Sequence, residues 1–581
     1  MNEINKKKLV IKTLLEKEFT DLYESKYYLG SWCFNDLLVL DKKLKANRVH
    51  NYHWDNKDKF KKDFAYLDNL YNKILANSTK IFNNLHNLER DERYWRIILG
   101  PWLKFFIDVL FDRYNSIETL QTSNKNIFFN IYKYSKDEIV TDHFHHFYET
   151  FVTDSWNEMV FSECIKFKEI DYLEKNIYLK TKIPKSSKKD YLKKIFIFFQ
   201  KRTPHLFTNI TTVSSYMPFP TLLKLQYKLK QIPMIVEPKI NLKKININNK
   251  KRDALKLFEP KNDFELFLTD QLKKHLPKIY LESFSKIRDF SLAFYPKNTQ
   301  TIFTSTAYQA NDAFKIWSAE KVFQGAKLYI GQHGGTFGIS AINQTENHQI
   351  KISDKFFTWG WNKKSHKNVI PLPVLRLNKT KRKYKKNGNI LLILGCVPRY
   401  FYNFFSMPIA GQYKNYLFNQ LVFLENLNKN LLNKIKIRED VSSRAWGWKT
   451  ESLFEEKGFK NNLDNKKSIY KQLEQSSLCI CTHNGTVMLE SLSLNFPTLI
   501  FWEKGHYEIR KEAVHDFDIL KKAGIFHDSA ESAARKVNLI SKDIYGWWNS
   551  KEVKTAVDAF VKKYALTSKN DLTIWKNNLE G

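Results

Sequence analysis

The chain is poor in cysteine: Cys33, Cys164, Cys396, Cys479 and Cys481 are the five present in 581 residues. The number is odd, and the spacings match no zinc site. Cys479 and Cys481 lie two apart in an apolar run that reads as a strand, so both point to one face and are poorly placed to bridge. A disulfide framework is not expected, and a reducing compartment is. Long apolar runs are also lacking. The most apolar stretch, Ile97 to Phe111, is interrupted by Lys104 and Asp108 and is too short to span a bilayer. Met1 to Lys8 is polar and leads into no signal-like segment. The expectation is a cytoplasmic chain, at most peripheral on a membrane. There is no Gly-x-x-x-x-Gly-Lys-Ser/Thr loop and no Gly-x-Gly-x-x-Gly turn, and no Asp-x-Asp motif accompanies a sheet. These absences weigh against ATPase, dehydrogenase and metal-dependent readings. Neither a metal nor a resident cofactor is expected.

Acidic residues are few beside basic ones, 61 against 95, for a net charge of +34. Such a balance favours polyanions or an anionic membrane face. The basic residues are scattered, however, with only short runs such as Lys6-Lys7-Lys8 and Lys381-Arg382-Lys383. Lys and Asn abundance throughout also fits an AT-rich genome. A dedicated nucleic-acid protein concentrates its charge, so nucleic acid is not the expected partner.

Apolar material is plentiful, with 43% hydrophobic and 15% aromatic residues, and the length calls for two large domains. Short strands are expected at Leu9-Val10-Ile11 and Tyr27-Tyr28-Leu29, followed by a mainly helical region from about Asp58 to Lys180. Lys182 to Asn262, rich in Lys, Asn and Pro, reads as a variable insertion with a few strands. From Thr301 the pattern becomes strand, helix (Asn311 to Gln324), strand (Leu328 to Ile330), which argues for a parallel sheet. Pro371 to Gly388 reads as an interdomain linker. From Asn389 onward strands and helices alternate as in a doubly wound domain.

Two turns carry the sharpest chemical signal. Gly331-Gln332-His333-Gly334-Gly335-Thr336-Phe337-Gly338 has four glycines in eight residues directly after a strand. Such a turn admits close backbone approach and presents N–H groups to anions. It sits at a strand's carboxyl end, where open α/β sheets bind ligands. His333 can donate a proton, accept one or hold a phosphate, and Gln332 can hydrogen-bond a sugar or base. The second turn, Thr482-His483-Asn484-Gly485-Thr486, opens a helix whose N-terminus favours a phosphate, with Glu490 one turn along for a sugar hydroxyl. Arg438 and Arg399, with Gly395, stand after strands where a guanidinium can clamp a diphosphate. Glu346, His348 and Asp354 lie just downstream of the histidine turn, where a carboxylate can act as base or nucleophile, and nothing in the sequence selects among them. Arg93 and Arg96 share a helix face and either bind an anionic acceptor or pair with nearby glutamates.

Tyr28-Leu29-Gly30-Ser31-Trp32-Cys33, Arg93 through Trp102, Gly331-Gln332-His333-Gly334-Gly335, Phe357-Thr358-Trp359-Gly360-Trp361 and Trp547-Trp548 form an unusual set. Together they resemble a family of transferases from bacterial O-antigen and surface-polysaccharide gene clusters, from near Leu9 to near Ala565. More distantly the chain is similar to transferases of Kdo and related ulosonic acids from CMP donors, and to glycerophosphate transferases. The resemblance implies a GT-B-like α/β fold, two Rossmann-like domains facing across a cleft with a helical elaboration in the first. Residues 1–375 would form the acceptor side and 386–565 the donor side. It implies a metal-independent glycosyltransferase of surface-glycan or lipopolysaccharide assembly, taking a nucleotide-activated sugar, such as a CMP-linked ulosonic or nonulosonic acid, and a glycan or lipid-linked acceptor at the anionic inner membrane. On that basis Arg438 and His483 to Thr486 face the donor, and His333 sits at the cleft. The alternatives are a polyol-phosphate transferase and a basic nucleic-acid-binding protein.

Overall fold

The computed structural model describes residues 7–19, 26–134, 139–178, 208–377 apart from 233, 235, 236, 239, 241, 243 and 244, then 385–440, 446–459, 462–464 and 468–581. Most of the 371–388 linker's basic run, and residues 182–207 of the expected insertion, lie outside these residues.

Three parallel sheets organise the described residues. The first has strands β1 (Lys8–Ile11), β2 (Lys26–Tyr28), β3 (Ile127–Lys133) and β4 (Tyr172–Tyr178), in the order β2-β1-β3-β4. Central β3 is buried at every residue but its last, whereas edge strand β4 alternates between half-buried and exposed. A helix at Gly100–Ser123 runs through this part of the molecule. It starts with Pro101 in its first turn and is buried on nearly every side. The helix at Lys57–His86, capped by the Asn56 side chain, and the helix at Asp154–Phe167, capped by Thr153, are packed on it.

The second sheet runs β5-β6-β7-β8-β9 in both space and sequence: Ile210–Val213, Thr301–Thr304, Lys327–Gly331, Lys355–Thr358 and Val369–Pro371. Its side chains obey the two-residue period of a strand. Ile302, Leu328, Ile330 and Phe356 enter the main core, while Phe303, Tyr329 and Phe357 enter a second cluster with Leu225 and Trp575. The helix between β6 and β7, Asp312–Phe323, is capped by Asn311, as its sequence leads one to expect.

The third sheet has the order β11-β10-β12-β13-β14, with β10 (Asn389–Ile393), β11 (Ile435–Arg438), β12 (Ser476–Cys481), β13 (Thr498–Phe501) and β14 (Phe526–His527). Cys479 and Cys481 share a face of β12, their sulfurs 3.8 Å apart and unbridged.

Two expectations change in detail. The region before residue 375 holds two sheets, so its helices flank a sheet of their own. Ile210–Val213, inside the expected insertion, is the edge strand of the second sheet. The chain also turns back after Ala565. Leu566 exchanges backbone hydrogen bonds with Trp359 and Val374, and the final helix, Asp571–Glu580, lays Trp575 against Phe303 and Phe357 with its indole N–H on the Pro373 carbonyl, 2.7 Å away.

Candidate functional site

The carboxyl ends of β7 and β12 meet. An added Cβ on Gly335 would lie 2.5 Å from the Gly485 carbonyl carbon and 2.8 Å from the Thr486 nitrogen, so only glycine lets the two turns touch. The Asn484 amide bridges the same seam to the Ser340 hydroxyl at 3.0 Å. Helix Thr486–Ser493 starts at the seam with Gly485 as its N-cap and no side-chain cap, which leaves its first N–H groups without that customary partner. His483 turns its Nδ1 inward to accept the Gly485 N–H at 2.9 Å and lies against Gly395.

His333 occupies an aromatic cage of Tyr216, Tyr308 and Phe337, with ring centroids 6.2, 6.3 and 5.0 Å away. Burial pulls its pKa down to about 4, because charge is disfavoured where water is excluded. The imidazole is therefore neutral at pH 7. Its Nδ1 has no hydrogen-bond partner among the described residues. Gln332 is different: its Nε2 donates to the Gly334 carbonyl at 2.7 Å, and its Oε1 accepts from the Trp359 N–H and the Trp361 indole at 3.0 and 2.8 Å. These three bonds give the carboxamide a part in shaping the turn. Gly338 has φ +72° and faces the Trp361 ring, so a side chain there meets both strain and a clash.

The sequence matches a family of transferases, LIC12162, over residues 8–579. The chain belongs to the LIC12162 transferase family. No curated protein matches it. Among solved structures, the spinosyn rhamnosyltransferase SpnG complexed with spinosyn aglycone is 10% identical, covering 64% of this chain and 100% of its own, at a TM-score of 0.31. A glycotransferase of kitacinnamycin is 6% identical, covering 54% and 89%, at a TM-score of 0.29. Likeness of that degree does not define a reaction.

Within this LIC12162 family transferase the remaining candidates separate sharply. Asp354 and Arg93 pair with each other, through contacts of 2.9 and 3.3 Å, and Arg93 also reaches the Ile352 carbonyl. Asp354 further accepts the Leu328 N–H at 2.8 Å. Leu328 is at the amino end of β7, about 10 Å along the strand from the turn. Asp354 as a catalytic carboxylate and Arg93 as an acceptor ligand are thus corrected to a clamp that fastens a helix to the wrong end of the sheet for chemistry. Arg96 is held by Glu92 and Asn72, at 2.5 and 3.0 Å. Glu346 lies nearer the seam but is buried in a two-pronged pair with Arg510, at 3.0 and 2.9 Å, and accepts the Gly338 N–H. Arg510 also donates to the Ser340 carbonyl, and Ser340 pairs with Ile509 in a short bridge. Buried and accepting three hydrogen bonds, Glu346 locks the turn to the C-terminal half and is not a free base.

Arg399 is buried against Asp154 and the Trp32 carbonyl, with the Tyr400 hydroxyl on the same carboxylate. It joins the third sheet to the first and does not face the two turns. Arg438 does stand on the carboxyl edge of the third sheet, two strands from β12, and donates to Gln472 at 2.5 Å. Glu490 is buried and pairs with Arg376 at 3.4 Å; burial raises its pKa, against the opposing pull of Arg376. No group of three or more His, Cys, Asp or Glu side chains that could hold a metal occurs among the described residues, and none of their helices is long and apolar enough to cross a membrane.

Sequence reasoning missed Arg510, Ser340, Tyr216 and Arg376. Nothing local marks the first two, whose partners lie across the seam. Tyr216 has φ +58° and Ser214 φ +48°, a left-handed pair right after β5 that a tyrosine and a serine do not advertise. Arg376 was hidden inside the linker reading.

Proposed function

We propose that this transferase is a glycosyltransferase that moves a sugar from a nucleotide donor to an acceptor hydroxyl at the seam between the two turns. The observation that carries this reading is the contact of Gly335 with Gly485 and Thr486, beside an uncapped helix start and a neutral, caged histidine. The donor phosphate sits at the start of helix Thr486–Ser493, where free N–H groups and the helix dipole stabilise negative charge. As the acceptor oxygen bonds to the anomeric carbon, the bond from that carbon to the phosphate oxygen breaks, and the electron pair leaves with the phosphate. The acceptor proton passes to the His333 imidazole. A histidine with a pKa near 4 is a weak base, but a phosphate bound across the seam supplies the negative charge that raises it. Donor binding thereby readies the base. Arg438 adds positive charge on the same sheet edge. No metal ion is called on.

The finer assignment, a CMP-linked ulosonic or nonulosonic acid transferred in surface-polysaccharide assembly, rests on the resemblance of the sequence motifs. The +34 charge favours a lipid-linked acceptor at an anionic inner leaflet. Calorimetric titration of the protein with CMP, UDP and GDP tests the donor reading: one of them binds, and binding by none would sink it. Product analysis then separates the alternatives, since a phosphodiester in place of a glycosidic bond means a polyol-phosphate transferase.

A further inference from the structure

Among the described residues, four of the arginines already discussed are each tied to at least two partners. Arg93, Arg399 and Arg510 each hold a carboxylate and a backbone carbonyl, and Arg96 holds Glu92 and Asn72. Arg376 makes one long polar contact, 3.4 Å to Glu490, and its side chain remains 40% exposed. Its guanidinium lies 4.4 Å from the centre of the Tyr216 ring. That ring is in turn 6.2 Å from His333 and stacked on Trp359 at 6.5 Å.

Arg376, Tyr216, Ser215, Gly331 and Gln332 line one recess at the carboxyl ends of the second sheet. Arg376 therefore contacts the loop after β5 through Tyr216 and the helix that begins at the seam through Glu490, and it shares the recess with the first residues of the glycine turn. A flat guanidinium stacked on an aromatic face keeps its N–H edge free to fork onto two oxygens. One bond of 3.4 Å to a carboxylate uses little of that capacity.

We propose that Arg376 is the phosphoryl-binding residue of the cleft, held ready by Tyr216 and exchanging Glu490 for phosphate oxygens when substrate enters. This rests on the glycosyltransferase reading above and adds to it the residue that meets the anion. A phosphate that engages two N–H groups of the fork outcompetes Glu490, which reaches Arg376 through one long contact of 3.4 Å. Glu490, released from Arg376 and buried, then takes up a proton or accepts from a sugar hydroxyl. The phosphate belongs either to the nucleotide donor or to a lipid-linked acceptor.

The test uses calorimetry on the full chain with CMP, UDP and GDP as donor probes and farnesyl phosphate as the acceptor probe. Arg376→Ala is expected to weaken binding of the nucleotide about ten-fold or more if the donor supplies the phosphate, and to weaken farnesyl phosphate alone if the acceptor does. Arg376→Lys restores part of the loss, because charge remains and the fork does not. Glu490→Gln is expected to tighten binding about three-fold by releasing the guanidinium, and it carries the test should Arg376→Ala fail to fold. If the wild type binds a probe, and Arg376→Ala or Glu490→Gln binds it equally well, the assignment to Arg376 is overturned while the glycosyltransferase reading stands. If the wild type binds no nucleotide and no phosphate, both fall together.

Discussion

Two polar regions of this transferase look alike in the sequence and opposite in the structure. In the first sheet, Lys12 sits fully buried between Glu16 and Glu158, at 2.8 and 2.7 Å, with Thr13 on Glu158 and the Asn130 carbonyl on the same ammonium. Nearby, Arg113 holds Asp112, Asn157 and the Phe401 carbonyl. The charged groups there are buried, and each is tied to a partner of opposite sign. At the seam, among the described residues, His333 Nδ1 has no hydrogen-bond partner, the helix at Thr486 starts without a side-chain cap, and Arg376 has one loose polar contact. Buried ion-pair networks hold a fold together, whereas polar capacity left open beside a cleft is capacity for a ligand.

The comparison breaks most visibly at Lys12. Lys12→Met leaves two carboxylates in a sealed interior, and a loss of about 3–5 kcal/mol is expected by urea unfolding, because an unpaired buried charge is left behind. The protein that remains folded should bind nucleotide as before. At the seam the expected pattern is inverted. Gly335→Ala forces apart backbones that a Cβ would meet at 2.5 Å. Transfer should fall about a hundred-fold, the scale of a 1 Å misplacement, with only a small change in unfolding midpoint.

His333→Asn sharpens the account further. It should lower kcat about a hundred-fold, the usual worth of a general base, with nucleotide affinity nearly unchanged. In the wild type, kcat/KM should fall off on the acid side near pH 4, as set by the free imidazole, and kcat at a higher pH, as set by the donor complex. Burial also depresses His348, to about 3, and His483, to about 4, from an ordinary 6.5. The unfolded chain therefore binds more protons than the folded one below pH 6.5. Stability is fully present above that pH and is lost as pH falls toward 4, which a thermal-unfolding series from pH 7 to 4 would record as a declining Tm. The smallest effect is expected for Asp354→Asn, which loosens a partly exposed pair and should cost about 1 kcal/mol or less with transfer intact.

Much of the fold was legible. The runs at Thr301, Leu328, Asn389 and Leu478 are strands because β-branched and aliphatic residues alternate with turn residues, and Asn311 and Ser468 cap the helices they precede. The first sheet was harder to see because its strands are separated by nearly a hundred residues of helix, and β4 carries charge on a solvated edge. The two glycine turns were legible because glycine at a strand's carboxyl end has few other uses. The charged candidates were not, since a sequence shows Arg93, Asp354, Glu346 and Arg399 without showing their partners. Asp354 sits after the histidine turn in sequence and at the other end of the sheet in space. Arg376 looked like linker because nothing local reveals that Tyr216 and Glu490 meet it from both sides.

The central claim is that the seam of Gly335 and Gly485 is where the donor nucleotide binds. Calorimetric titration of CMP, UDP and GDP into the wild type, Gly335→Ala and Asp354→Asn tests it most directly. The expected result is one nucleotide bound by the wild type and by Asp354→Asn with similar affinity, and bound at least ten-fold more weakly by Gly335→Ala. Equal binding by Gly335→Ala and the wild type would contradict the account.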